Sequence, residues 1–296
     1  MEGARTARGS NERRCPAAVS SSRDVDICSR RAVLTGGLAF GLTWVVGGCQ
    51  EGGEELTADA PLGGRDSGKE GGLSQGRLRF RPDAPSGTTG RTGEITLRPR
   101  PEAPQAYGYV PPAVEDGPVR LVLFLHGAGG DASRSVNALR SFADEERLLL
   151  LAPQSTGTTW DAIGGEFGAD VENIDRLLAK AAAAYPVRSY TVAGFSDGGS
   201  YALSLGIGNG DVFDSVMAFS PCFSAAEIRT GRPRFFVSHG TEDEVLPIDQ
   251  CSRQIVARLR QNGYVVTFEE FAGGHKNSPE IKDKAIDWLG HGARAG

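Results

Sequence analysis

The chain has 296 residues, 39 % of them hydrophobic, with 41 Gly and five Cys, which is enough for one domain with a substantial core and for segments outside it. Its formal net charge of −5, from 32 Lys and Arg against 37 Asp and Glu, argues against a nucleic-acid partner, whose phosphates would call for a basic surface.

Residues 1–48 read as an export signal. Ser29-Arg30-Arg31 leads an apolar, glycine-rich stretch, residues 32–46, that closes on Val46-Gly47-Gly48-Cys49. A charged leader, a short apolar core and small residues before a cleavage point are the parts such a signal needs. The paired arginines resemble a twin-arginine signal and the segment ending at Cys49 resembles a bacterial lipobox, which implies Cys49 as the lipid-bearing first residue of a membrane-anchored mature chain. The alternative is an uncleaved anchor, which the five glycines of residues 32–48 make a weak span. Gln50 stands where an aspartate would resemble the inner-membrane retention signal, so the outer membrane is favoured in a host with two. Residues 1–48 carry seven Arg against four Asp or Glu, so their removal takes the formal charge from −5 to −8, further from any nucleic-acid role. Cys15 and Cys28 leave with the leader; Cys222 and Cys251 remain, open both to a disulfide in an exported domain and to buried free thiols.

Residues 49–76 are rich in Gly, Glu, Asp and Ser and bury too little to offset their ordering entropy, the signature of a flexible tether. Residues 77–296 are predicted to form an α/β domain with a mostly parallel twisted sheet, helices on both faces and an antiparallel N-terminal edge. That edge is expected from extended pieces at 77–81, 94–97 and 106–110. Continuous apolar runs at 119–125 and 148–152 read as buried strands, with a helix at 133–147 between them. A helix at 170–185 places Val171, Ile174, Leu177, Leu178 and Ala181 on one face and stops at Pro186. Strands follow at 189–193, 215–219 and 234–238. Pro247 opens a helix with the stripe Ile248, Cys251, Ile255 and Leu259, a last strand covers 264–271, and Ser278-Pro279 starts a helix to Leu289.

Gly194-Phe195-Ser196-Asp197-Gly198 joins the strand at 189–193 to a small-residue helical stretch, the setting of a nucleophile elbow that exposes a serine at the positive end of a helix. A second Gly-x-Ser-x-Gly, at Gly72-Leu73-Ser74-Gln75-Gly76, has no strand before it and no helix after it, and Ser74 is read as linker. A serine hydroxyl needs a base, and an imidazole works best with a carboxylate to fix its tautomer. Among the four histidines, His126 and His239 end strands and are each followed by Gly, which suits loop-shaping side chains; His291 lies in a terminal tail. His275, in the loop Gly273-Gly274-His275 after the last strand, is the candidate base, in keeping with the chain order Ser, acid, His. The acid is expected in His239-Gly240-Thr241-Glu242-Asp243-Glu244-Val245-Leu246-Pro247, with Asp243 at the loop apex and Glu242 and Glu244 as solvated charges near a helix start. His126-Gly127-Ala128-Gly129-Gly130 leaves its backbone free for oxyanion donors; the expected pair is the amides of Ala128 and Asp197. Trp160 is a candidate wall for the acyl pocket. No metal-binding pattern is present.

The segments HGAGG, GFSDGG, HGTEDEVLP and GGH together resemble the α/β-hydrolase superfamily across residues 119–289. Within it the chain is similar to compact carboxylesterase/phospholipase-type enzymes and to secreted esterases of the polyhydroxybutyrate depolymerase and feruloyl esterase kind. The resemblance implies a Ser-His-Asp hydrolase of small or polymeric carboxylic esters, with an acyl-enzyme intermediate and no cofactor. With only residues 220–233 between two strands, no large cap domain is expected. A serine peptidase or amide hydrolase with the same triad, and a binding lipoprotein without catalysis, are the competing readings. Asp197 departs from the residue several such families carry after the serine.

Overall fold

The computed structural model describes residues 65–66, 71–85 and 90–291; the segment expected to be an export signal and Cys49, the expected anchor site, lie outside them. The strands are β1 (Arg65–Asp66), β2 (Gly93–Leu97), β3 (Ala106–Val110), β4 (Val119–Leu125), β5 (Leu148–Ala152), β6 (Val187–Phe195), β7 (Ser215–Phe219), β8 (Ile228–Arg229), β9 (Arg234–Gly240) and β10 (Val266–Phe271). The helices are α1 (Ala132–Asn137), α2 (Asp161–Gly164), α3 (Ala169–Ala184), α4 (Asp197–Gly208), α5 (Ser252–Gln261) and α6 (Pro279–His291). Eight strands form one sheet in the order β10-β9-β7-β6-β4-β5-β3-β2, while β1 and β8 make a separate two-stranded pair. From β5 to β10 all neighbours are parallel, and β3 and β2 add an antiparallel edge.

The central strands are apolar on both faces because both are covered. All seven residues of β4 are buried. On one face, Leu121, Leu123 and Val192 pack with Val171, Ile174, Leu177 and Leu178 of α3 and with Ile255 and Leu259 of α5. On the other, Val122, Phe124, Phe219 and Phe236 pack with Val136 of α1 and with Ile281, Ala285, Ile286 and Leu289 of α6. Each of these Val, Leu, Ile and Phe side chains contributes about 1.5–3 kcal/mol. The C-terminal end of α6 is held by two arginines from strand starts: Arg120 donates to the Leu289 carbonyl at 2.9 Å, and Arg234 to Trp288 at 2.8 Å and Leu289 at 2.9 Å. Cations there also complement the helix dipole.

Three expected elements differ. Residues 77–81 do not form a strand: the amide of Leu78 bonds to Asn209 Oδ1, those of Arg79 and Phe80 bond to Asp175 Oδ1, and Arg77 ion-pairs with Asp211. Side chains of α3 and of the segment just after α4 thus take the place of a neighbouring strand. Packing also begins ahead of Arg77, in a 3-10 turn at Leu73–Gln75 that carries the exposed Ser74, with the Gly76 carbonyl accepting from Asn209 Nδ2. The helix expected over 133–147 stops at Asn137 and continues as 3-10 turns through Arg140–Phe142, where the Arg140 guanidinium stacks 3.3 Å from the Tyr109 ring centre. Residues 247–251 are likewise a run of turns and α5 begins at Ser252, directly after Cys251, which forms a disulfide with Cys222. That bond spans a sequence separation of 29, a loop whose closure removes roughly 3–4 kcal/mol of denatured-state freedom.

Candidate active site

The strand-to-helix turn at the end of β6 holds Ser196 at φ 58°, ψ −121°, a sparsely populated conformation for a residue with a side chain. Gly194 and Gly198 make the turn possible: a Cβ on Gly194 would run into the Gly198 carbonyl, and one on Gly198 into the carbonyls of Leu125 and His126. The Ser196 amide bonds to the Phe219 carbonyl of β7 at 2.8 Å, and its carbonyl accepts from Ser200 in α4. With the backbone fixed on both sides, the hydroxyl points at His275.

His275 Nε2 lies 2.9 Å from Ser196 Oγ, and its Nδ1 lies 2.7 Å from Asp243 Oδ2. The Asp243 side chain is fully buried, and its Oδ1 accepts from the amides of Val245 at 3.0 Å and Leu246 at 2.8 Å. A carboxylate only accepts, so the His275 proton sits on Nδ1 and Nε2 is left to accept from the serine. The acid and base loops are tied to each other by backbone bonds, Glu242 to the Gly273 carbonyl at 2.9 Å and Thr241 to that of Phe271 at 2.8 Å. The Phe195 ring packs against the imidazole, centroids 4.8 Å apart. Three residues separated by 32 and 79 positions along the chain therefore form one hydrogen-bonded series.

The loop after β4 passes close by: a Cβ on Gly127 would stand 3.3 Å from that of Ser196. Within it, the Gly129 amide donates to the Thr158 carbonyl at 2.7 Å and that of Gly130 to Gly127 at 2.9 Å. Among the described residues the amides of Ala128 and Asp197 have no such partner. The Asp197 carboxylate accepts from Thr159 Oγ1 at 2.6 Å.

Trp160 does not line a pocket, which corrects the sequence expectation. It is 1 % exposed, stacks on Tyr201 and lies against His126. Its indole N–H donates to the His126 carbonyl at 2.8 Å, so it props the loop from beneath; burying the ring there satisfies the only polar atom it has. Asp161 accepts from the Gly168 and Asp170 amides and from the Tyr201 hydroxyl at 2.8 Å, and Asp170 accepts from Thr156 and Asp161. Burial is the main cause that raises the Asp170 pKa, and burial also raises that of Tyr201. These carboxylates had no signature in the sequence beyond their polarity.

His126 and His239 shape loops, as their positions at strand ends suggest. His126 Nε2 accepts from the Ser155 amide at 3.1 Å, which leaves the proton on Nδ1 to donate to the Gly127 carbonyl at 2.8 Å. His239 is fully buried, and burial is the leading cause that lowers its pKa. His291 ends α6 with Nδ1 2.6 Å from the Asp287 carbonyl. A cleft of about 300 Å³ opens beside Phe195 and Gly127, with Ala138, Arg134, Asn277 and Lys282 on its walls. A cavity of about 550 Å³ lies at the β2–β3 edge, among Arg91, Tyr107 and Arg140, away from these groups. Among the described residues no three His, Cys, Asp or Glu are grouped to hold a metal ion.

The profile of the family described as "Esterase: Putative esterase" matches residues 173–253, the stretch that contains Ser196 and Asp243. No curated protein matches the sequence. Among solved structures the chain is similar to esterase PE8, with a TM-score of 0.52 and 23 % identity over 62 % of this chain and 97 % of that one. A thermostable esterase gives 0.55 and 19 %, over 67 % of this chain and 62 % of that one. The S-formylglutathione hydrolase FrmB of Staphylococcus aureus gives 0.54 and 17 %, over 69 % and 99 %. With a parallel sheet bearing an antiparallel edge, helices on both faces and a serine on the turn after β6, the chain has the α/β-hydrolase fold.

Proposed function

We propose that this protein is a serine hydrolase of carboxylic esters that works through Ser196, His275 and Asp243. The observation that carries the reading is the unbroken hydrogen-bonded series Ser196 Oγ, His275 Nε2, His275 Nδ1, Asp243 Oδ2. As Ser196 Oγ forms its bond to the ester carbonyl carbon, the hydroxyl proton passes to His275 Nε2, and Asp243 steadies the imidazolium without taking a proton. The carbonyl oxygen becomes an oxyanion, and the amides of Ala128 and Asp197 are free to receive it; two such donors contribute several kcal/mol. Collapse breaks the bond to the alkoxy oxygen, which leaves as the alcohol with the proton from Nε2. Water then attacks the acyl-Ser196 ester, gives its proton to Nε2, and the acid departs as the proton returns to Ser196. None of these steps needs a cofactor. An amide would follow the same path with a poorer leaving group. The esterase profile over residues 173–253 favours the ester.

A fluorophosphonate probe should label Ser196 in the intact protein, and aryl acetates should be turned over faster than the matching anilides. Absence of labelling would leave the binding-protein reading, and anilides cleaved as fast as esters would favour an amidase.

We further propose that residues 1–48 are an export signal and residues 49–76 a tether whose last residues, from Leu73, dock on the catalytic domain of residues 77–296, anchored outside the cytoplasmic membrane by lipid on Cys49. The Cys222–Cys251 disulfide suits an oxidising compartment. Cys49→Ala should move the protein to the soluble fraction with turnover intact; a variant that stays with membranes would point to the uncleaved span instead.

A further inference from the structure

We infer that His239 is a positioning residue for Asp243, fixed in one tautomer by Ser252; this rests on the triad proposed above. Asp243 Oδ2 is shared. His275 Nδ1 lies 2.7 Å from it, and His239 Nε2 approaches the same oxygen at 3.2 Å. His239 Nε2 also lies 2.7 Å from the Leu246 carbonyl. Both partners of Nε2 are acceptors, so this nitrogen carries a proton.

Nδ1 of His239 faces Ser252 Oγ at 2.6 Å. Burial favours the neutral ring, which has one proton only, so Ser252 donates to Nδ1 and holds the proton on Nε2, toward Asp243. Ser252 Oγ has a single proton, for which Nδ1 at 2.6 Å is the nearer acceptor and the Pro221 carbonyl, 3.2 Å away, the more distant one. Pro221 precedes Cys222 and Ser252 follows Cys251, so the disulfide staples together the two segments that meet at this hydroxyl.

Two amides hold Oδ1 of the buried carboxylate, and the His239 Nε2–H, directed first at the Leu246 carbonyl at 2.7 Å, stands 3.2 Å from Oδ2 as a longer, shared contact. Without the N–H of His239, a lone pair of a buried anion is unmet and the carboxylate is free to tilt away from His275. A displacement of about 1 Å at a catalytic group lowers the rate roughly 100-fold. The loss would fall on kcat, because Asp243 acts on the imidazolium that forms only in the transition state.

The test is a double-mutant cycle on the full chain with an aryl acetate. His239→Leu is expected to lower kcat roughly 100-fold with KM within about twofold. His239→Gln, whose side-chain N–H can reach Oδ2 and the Leu246 carbonyl, should recover about tenfold of that loss. In an Asp243→Ala background, which places no new donor against His239, the same His239→Leu change should alter kcat less than about twofold, since its effect passes through the carboxylate. Should the leucine variant fail to fold, His239→Phe, which keeps an aromatic ring of similar shape and lacks the N–H, carries the same cycle. Equal losses with and without the Asp243 carboxylate, or Gln no better than Leu, would overturn the inference. An Asp243→Asn variant with undiminished kcat would instead overturn the triad itself.

Discussion

Ser196→Ala and His275→Ala are each expected to lower kcat for an aryl acetate by on the order of 10⁶, and the double variant by no more than either alone. The two side chains make one hydrogen bond, 2.9 Å long, and do one job: without the imidazole the hydroxyl keeps its proton, and without the hydroxyl the imidazole has nothing to activate. A factor of 10⁶ is about 8 kcal/mol of barrier. What remains should come from the Ala128 and Asp197 amides and from substrate binding. Steady-state kinetics of the three variants decide it. Losses that multiply would show the residues acting independently, and the triad assignment would then fail.

Asp243→Asn should lower kcat by about 10⁴ with little change in KM. The direction of the asparagine side chain is dictated by its neighbours. The Val245 and Leu246 amides both donate to Oδ1, so the amide oxygen takes that place and the NH₂ group faces His275. The NH₂ cannot accept, so Nδ1 must give up its proton and Nε2 gains one, pointing it at Ser196. A protonated Nε2 cannot receive the serine's hydrogen. The same NH₂ group meets His239 Nε2, 3.2 Å away, donor against donor, so a modest loss of stability should accompany the loss of rate. Wild-type kcat in this variant would remove Asp243 from the catalytic series.

Much of the fold can be read from the sequence because it lies in local pattern: the runs at 119–125 and 148–152 are apolar throughout, which only a strand covered on both faces tolerates. Ser196 is legible for a related reason, since the glycines around it are demanded by steric contacts within ten residues or by strand neighbours that the pattern already implies. His275 and Asp243 follow from loop position and chain order. What could not be read depends on distance between remote segments. The partnership of Cys222 with Cys251, at the very start of α5, is one such feature, and no propensity in residues 247–251 announces it. Trp160 looks the same in sequence whether it walls a pocket or supports a loop, and only the position of the His126 carbonyl decides. Residues 77–81 alternate like a strand, yet their amides are met by Asp175 and Asn209, side chains that no local pattern couples to them. His239 is legible as a loop histidine, but its approach to Asp243 is not.

The backbone angles of Ser196 set reactivity against durability at a single position. A side chain held there works against its own conformational preference, at about 1–3 kcal/mol, and glycine would not. A chain with glycine at 196 should therefore be inert and yet melt at a higher temperature than the wild type, so selection for heat resistance alone would act against this residue.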